Sequence, residues 1–296
     1  MAENRSSPET PAEGAGPRAG ADPAPPPPPP SVWESLTSFR GSTSRKTDIY
    51  VGIAGFAFLL ILWSLATTFG WVGSSFLASI PDVIVRLYGM FAGHNVGHSF
   101  LWDIAISIYR VGAAFLLSAI MAIPLGILMS SYRIVNGLSE PIVDFIRYLP
   151  VPALVPLTVI WLGIGETSKI TLLWIGTFFQ LVLLIADDAR RVPREYIEIG
   201  MTVGAKPRSV LRHIILPAML PNMVDNLRIT LGWCWTYLIV AEIVAANSGI
   251  GYVIMASRRY GNVDTIFAGV LTIGIIGLAT DQAIRWAHRR YFAYLR

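Results

Sequence analysis

The sequence predicts an all-α polytopic membrane protein. Over half of the 296 residues are apolar and only 14% are charged, well away from the balance of a soluble domain. The apolar residues gather into runs long enough to cross a bilayer, which takes about 20 residues at 1.5 Å rise each. The basic residues fall on one side of those runs, as cytoplasmic loops do.

The chain opens on a tail rich in Ala, Gly, Pro, Ser and Glu, with an unbroken run from Pro25 to Pro30. Such a composition buries too little apolar surface to offset its ordering entropy, so residues 1–46 are expected to be a disordered cytoplasmic tail with a stiff polyproline piece. The tail lacks the basic start and apolar stretch of a signal peptide. Residues 47–296 are expected to form one membrane domain.

Six spans are predicted there: Tyr50–Phe69, Ile104–Met129, Ile142–Trp161, Ile170–Ala186, Leu227–Ala246 and Ile266–Ala279. Arg40, Arg45 and Lys46 precede the first, and Arg133 lies between the second and third. Six basic residues from Arg190 to Arg212 lie between the fourth and fifth, and Arg285, Arg289, Arg290 and Arg296 follow the sixth. All fall on one face of a six-span topology, which places both termini in the cytoplasm. A basic excess of this kind does not imply nucleic acid. Outside, Ile80, Val83, Ile84, Leu87, Met90 and Phe91 recur at helical spacing and predict a short interfacial helix from Pro81. A second short helix is expected over "GIGYVIMASRRYG".

The polar loop 189–217 is unusually ordered. Pro193 can open a helix, and Glu195 and Glu198 suit its first turns. Gly204 can take the left-handed conformation that ends one. Lys206-Pro207 starts a second helix, expected to run through Val210, Leu211 and Ile214 until Pro217 breaks it. Local physics leaves two surfaces open for this helix pair: lipid headgroups, held by Lys206, Arg208 and Arg212, or a cytoplasmic protein.

Several ionisable or helix-breaking residues lie within the spans. Pro150, Pro152 and Pro156 remove backbone donors from the third span, which is tolerated at depth only where protein or a wet cavity covers the exposed carbonyls. That segment is therefore placed at a translocation path. Asp144 and Arg147 share a helical face near the cytoplasmic end of the span, where they can pair or snorkel to the interface, and Arg147 is a candidate for the path. Arg110 and Glu242 are expected near the external ends of their spans. They can pair with each other, the reading we favour, or Arg110 can attract an anion. Gln180, Trp233, Trp235 and Tyr237 are candidates to line the path. His94 and His98 lack the further ligands of a metal site. Cys234 is the single cysteine, so no disulfide forms within the chain. No H-E-x-x-H motif or Ser/His/Asp set suggests an enzyme, and no G-x-x-x-x-G-K-[ST] loop is present to hold a nucleotide.

The loop resembles the "EAA" signature of ABC importer permeases: Glu198, Gly204, Ile214, Leu216 and Pro217 match at each spacing, with Gly200 as the second small residue and Ile199 departing from the first. "PVPALVPLTVIWLGIGETSKI", "LPAMLPNMVDNLRITLGWCW" and "VAEIVAANSGIGYVI" are similar to the nitrate/sulfonate/taurine/bicarbonate subfamily. The likeness runs from about Trp102 to the C-terminus. A further departure is Asp103, where relatives often carry histidine.

The resemblance implies a type I importer transmembrane subunit of the bacterial inner membrane, with about six spans and a cytoplasmic coupling helix. It implies two ATPase subunits that hold ATP and Mg, a second permease copy and an external binding protein, periplasmic or lipid-anchored. Glu198, Gly200, Gly204, Ala205, Lys206, Arg208, Ile214, Leu216 and Pro217 would form the coupling element. The cargo class implied is a small oxyanion or organic acid. A self-sufficient secondary transporter or channel, with Glu242 and Arg110 in an ion relay, is the alternative from another class.

Overall fold

The computed structural model describes residues 44–93, 99–245 and 247–293. Most of the expected tail and the two histidines, His94 and His98, lie outside them. The chain divides into two compact units, residues 1–60 and 61–296. The described part of the first is the opening of helix α1 (Arg45–Thr68), apolar from Ile49 onward with Ile53, Phe56 and Leu59 exposed.

The second unit continues α1 and adds α2 (Ile80–Phe91), α3 (Phe100–Ser131), α4 (Arg133–Arg147), a 3₁₀ turn (Val151–Leu154), α5 (Val155–Leu162) and α6 (Glu166–Arg190). It goes on with α7 (Arg194–Thr202), α8 (Pro207–Val210), a π-helical stretch (Leu211–Ile215), α9 (Leu216–Ala245), α10 (Ile250–Arg259) and α11 (Val263–Tyr291). No strand occurs among the described residues.

Among the described residues, four helices are long and apolar enough to cross a membrane: α1, α3, α6 and α11. A fifth crossing arises if α4 and the segment 151–162 count as one. This differs from six straight spans in two ways. The third expected span, Ile142–Trp161, is broken. Its halves meet at 91°. Pro150 (φ −67°, ψ 109°) is extended, and Pro152 and Pro156 sit in the first turns of the two pieces that follow. Proline also bars the preceding residue from the helical region, so Leu149 cannot carry α4 forward. Residues 227–245 of the fifth expected span lie in α9, which also carries Asp225, Arg228 and Glu242. The sixth extends into polar flanks at both ends, from Val263 to Tyr291.

α2 begins where its sequence suggests. The Ser79 hydroxyl accepts from the Asp82 N–H at 3.3 Å, and Pro81 occupies the first turn, where its missing donor is no loss. Its Arg86 Nε donates to Thr265 Oγ1 at 2.7 Å, tying α2 to α11.

The centre of the unit is the packing of α3 on α6. Ala114, Ser118, Ala122 and Gly126 recur every four residues, so they form one small-residue stripe, and all are buried. The stripe lets the backbones approach closely. A Cβ on Gly126 would fall 2.7 Å from the Val182 carbonyl oxygen and 2.8 Å from Ile185 Cβ. Against it lie Leu181, Val182, Ile185 and Ala186, all fully buried. A buried hydrogen bond of 2.8 Å between the Ser118 and Thr177 hydroxyls fixes the register. At the other end of the bundle, Arg228 of α9 lies 3.6 Å from Asp281 of α11, and Asp281 also meets Arg285 at 3.1 Å.

Gly126→Val is expected to destabilise the protein by ~1–3 kcal/mol through overpacking. Gly112→Ala, whose Cβ meets nothing within 4 Å, is expected to leave stability unchanged or slightly raised. Thermal unfolding of the detergent-solubilised variants checks both.

Candidate coupling loop and translocation path

The loop between α6 and α9 folds as a helix, a glycine reversal and a second helix. Pro193 (ψ 133°) stands just outside α7 as its cap, and Glu195 lies in the first turn. Gly204 has φ +82°. Its N–H donates to Met201 O at 3.0 Å, and the Ala205 N–H reaches back to Gly200 O at 3.0 Å. These two bonds form the Schellman arrangement, which satisfies the last carbonyls of α7 and needs a left-handed residue at Gly204. Lys206 caps the next helix and Pro207 occupies its first turn.

Gly200 has a separate task. It is buried, and a Cβ there would fall 2.6 Å from Ile214 Cδ1. The glycine lets the second helix close onto the first. Ile199, the departure from the signature, is 62% exposed, so its bulk meets nothing inside. Glu198, Lys206 and Arg208 are also exposed, Ala205, Ile214 and Leu216 are half-buried, and Val210 and Ile215 are buried.

Pro217 does not end the second helix, contrary to expectation. The chain passes through the π stretch Leu211–Ile215, with the Leu216 N–H bonded to Leu211 O, and runs on as α9. The missing proline donor falls at the junction of the π and α ladders, where the hydrogen-bond register is already shifted, so it costs little there.

The second constellation is buried near the start of α3. Arg110 and Glu242 pair at 2.7 Å, and neither side chain is exposed. The pair is part of a larger knot. Arg110 Nε and Nη2 donate to the two oxygens of Glu166, each at 2.7 Å. Nη1 also donates to Ser248 O at 2.8 Å, and Nη2 to Ser248 Oγ at 3.1 Å. A guanidinium has five N–H donors, and here five bonds use them.

The carboxylates are held as fully. Glu242 accepts from the Ser107 hydroxyl and the Gly251 N–H, each at 2.7 Å, and Asp103 Oδ1 accepts from the Gly249 N–H at 2.7 Å. The Ile250 N–H donates to Ser107 Oγ at 3.0 Å. Three successive backbone N–H groups entering α10 thus end on three side chains. Gly249 (φ +107°) is required: a Cβ would fall 2.6 Å from Arg110 Nη1. Lys169 Nζ adds a bond to Glu166 at 2.9 Å.

Sequence reading paired Arg110 with Glu242 but missed Glu166 and Ser248, which lie 56 and 138 residues from Arg110. Glu166 stands in the first turn of α6, an ordinary place for an acid, so its position carried no signal.

A small cavity of about 250 Å³ lies at the helix break. Arg147, Gln180, Trp233 and Tyr237 line it with Val151 and Gly176. A Cβ on Gly176 would fall 2.7 Å from the Tyr237 ring, so that glycine lets the ring lie against α6. Arg147 pairs with Asp144 at 3.0 Å and lies over the Tyr148 ring, 4.5 Å from its centroid. Pro150 makes the break, while Pro152 and Pro156 are exposed and do not line the cavity. Trp235 is corrected: it is 4% exposed, in a packed cluster with Val111, Ala114, Leu173 and Leu238. Trp233 and Tyr237 are four apart and share a helical face, whereas Trp235 between them points to the other side. Glu242 is likewise outside this cavity. Among the described residues, no group of three or more His, Cys, Asp or Glu is placed to hold a metal ion.

Comparison with known proteins follows this geometry. Residues 114–293 match the family model of the binding-protein-dependent transport system inner membrane component. A Methanocaldococcus jannaschii protein assigned as an ABC transporter permease is 36% identical over 219 residues, 74% of this chain and 82% of that protein. The taurine transport system permease protein of Escherichia coli is 31% identical over 253 residues, 85% of this chain and 91% of that protein. The crystal structure of an amino acid ABC transporter with histidines superposes with a TM-score of 0.58 at 13% identity, covering 70% of this chain and 96% of that one. That last likeness is one of fold. The family match spans more than half of the chain and the matched relatives lie along nearly their whole length, so this protein belongs to the binding-protein-dependent transport system inner membrane components, the multi-pass permease subunits of ABC importers.

Proposed function

We propose that this chain moves a small oxyanion or organic acid across the membrane by alternating access, driven by ATP hydrolysis on separate subunits that dock on the α7–α8 loop. The observation that carries the reading is the built reversal at Gly200–Ala205. It fixes two short helices rigidly while leaving Tyr196, Ile199 and Val203 exposed beside Glu195 and Glu198. This mixed apolar and acidic face of α7 suits a protein groove, while the exposed cations Lys206, Arg208 and Arg212 lie on the second half of the pair. The chain has no phosphate-binding glycine loop of its own.

The cargo class follows from similarity to a taurine permease. The cavity at the helix break is compatible with it, offering a guanidinium, an amide and the three aromatic rings of Phe179, Trp233 and Tyr237. In this reading two copies of the chain form the pathway, an external binding protein delivers the cargo, and both termini face the cytoplasm.

The relay alternative is disfavoured by the knot itself. A proton or ion relay needs a group that exchanges partners. Arg110 has all five donors engaged and Glu242 accepts from three residues with no exposure. The pair reads as a structural staple.

Three outcomes check these readings. Gly204→Val places a β-branched residue at positive φ, a strain of about 1–2 kcal/mol. Membrane insertion is expected to persist, while the ATPase no longer co-purifies or uptake falls at least tenfold. ATP-dependent uptake equal to wild type would overturn the coupling assignment. Arg110→Ala strands Glu242 and is expected to destabilise by about 3–5 kcal/mol, whereas Arg110→Met with Glu242→Leu and Glu166→Gln recovers much of the loss. Loss of uptake from a single mutant with wild-type thermal stability would favour direct contact with cargo. Vesicles holding the permease without ATPase are expected to show no uptake under an imposed proton or sodium gradient.

A further inference from the structure

A cleft of about 510 Å³ separates the α7–α8 loop from the ends of α3 and α6, sharing no residue with the cavity at the helix break. One rim carries the hydroxyls of Ser130, Ser131 and Tyr132, and the other carries Arg190 and Arg194. The floor is apolar, and its Val192, Val210 and Ile215 are buried. No carboxylate lines it. Arg190 is engaged by Asp187 at 3.2 Å, Glu140 at 3.4 Å and Asn136 at 2.6 Å. Arg194 has no ion-pair partner among the described residues, and the Ser131 hydroxyl has only a long contact of 3.4 Å to its neighbour.

Position gives these residues their meaning. α3 and α6 are both apolar enough to cross a membrane, and their last residues, Ser131 and Arg190, line the cleft. The cleft therefore opens where two spans leave the hydrocarbon, at the depth of lipid headgroups. There, the Arg194 cation and the hydroxyls of Ser131 and Tyr132 stand over an apolar floor, while the Ser130 hydroxyl donates to Ile127 O at 2.8 Å. That combination matches an amphiphile with an anionic phosphate and an apolar tail, and basic pockets between spans are a usual seat for acidic headgroups.

We propose that this cleft binds one anionic phospholipid of the surrounding membrane, its phosphate at Arg194, Ser131 and Tyr132 and the start of its chains on Met201, Val210 and Ile215. The site touches both helices of the loop and the spans behind them. It also includes Leu211 and Ile215, the two ends of the π stretch, a distortion found mostly at functional sites. A lipid there fills the space left between loop and bundle, beside the existing packing of Val192, Val210 and Ile215 in one cluster with Met129 and Ala189.

The test is lipid retention by the full chain, purified in mild detergent with whatever subunits accompany it and read by native mass spectrometry. It needs no transport, so its failure is separate from failure of the functional reading. Wild type is expected to retain phosphatidylglycerol in preference to phosphatidylethanolamine. Arg194→Gln is expected to lower that retention about fivefold, the factor one surface cation contributes to anionic-lipid binding. Ile197→Trp, which fills the cleft without touching its charge, is expected to lower it as well. Arg212→Gln, an exposed cation on the same loop outside the cleft, is expected to leave retention unchanged. Retention of both lipids in membrane proportion would overturn the proposal, as would an equal fall for Arg212→Gln or full retention by Arg194→Gln. Displacement of the lipid by inorganic phosphate alone would assign the site to a free oxyanion instead.

Discussion

The guanidinium of Arg110, with every donor used, is the constraint on which the rest of the membrane unit depends. One side chain joins α3 to the first turn of α6 through Glu166, to α9 through Glu242 and to the segment entering α10 through Ser248. In a low-dielectric interior the fully buried charges of Arg110 and Glu242 would be costly alone, while Glu166 is partly exposed. Together they are affordable only because the geometry is complete, and that completeness admits few arrangements of four segments. Below the knot, the same face of α3 carries no charge at all. It becomes the stripe Ala114, Ser118, Ala122, Gly126, where small side chains let α6 pack closely. One helix face thus does two things: it pins the bundle by charge at one end and by close approach along its length.

The break at Pro150 lies outside this knot and outside the ties at the other end, where Arg228 meets Asp281 and Asn226 donates to Asp188. The halves of the broken span meet at 91° and border a cavity whose opposite wall is α6 and α9, the helices joined through Arg110. A bend made by proline is not a flexible joint in itself, because proline fixes its own φ. What changes is the number of hydrogen bonds holding the pieces together. Between Arg147 and Val155 the ladder is interrupted, so α5 can tilt against α6 without tearing a continuous helix. The polar lining of Arg147 and Gln180 sits beside this interrupted segment.

What was legible in the sequence was what is local. The reversal at Gly204 could be read because glycine, proline and an apolar period lie within twenty residues and each has a short-range meaning. The start of α2 was readable for the same reason. Proline in the third span announced a disruption, but its angle depends on packing that no neighbour encodes. Trp235 was misplaced because all three aromatics of "WCWTY" are equally compatible with core and cavity. Helical period separates Trp235 from Trp233 and Tyr237, yet it cannot say which face is wet. Glu166 was invisible because its partner is remote in sequence and its own position is a favourable one for any acid. Pro217 misled because the usual rule assumes an α-register, and the π stretch before it supplies another.

That π stretch bears on how force would travel from the loop to the bundle. A partner pressing on α7 meets a pair of helices locked by Gly200 against Ile214 and by the two bonds across Gly204, so the pair moves as one body. Its connection to α9 is helical throughout, from Pro207 through Leu211–Ile215 and onward, with no loop to absorb the displacement. A loop would dissipate motion into its own dihedrals, whereas a helix transmits it along its axis. The π register is one weak point in that rod, because its ladder is one bond out of step, and Pro221 inside α9 is another. Displacement of the loop pair therefore has two outlets: rotation of α9 as a whole, which the Arg110 knot resists at the far end, or a change of register between Leu211 and Ile215. The knot leaves Glu242 no spare partner at one end of α9, and the π stretch at the other lies beside the cleft in which Arg194 has no ion-pair partner among the described residues.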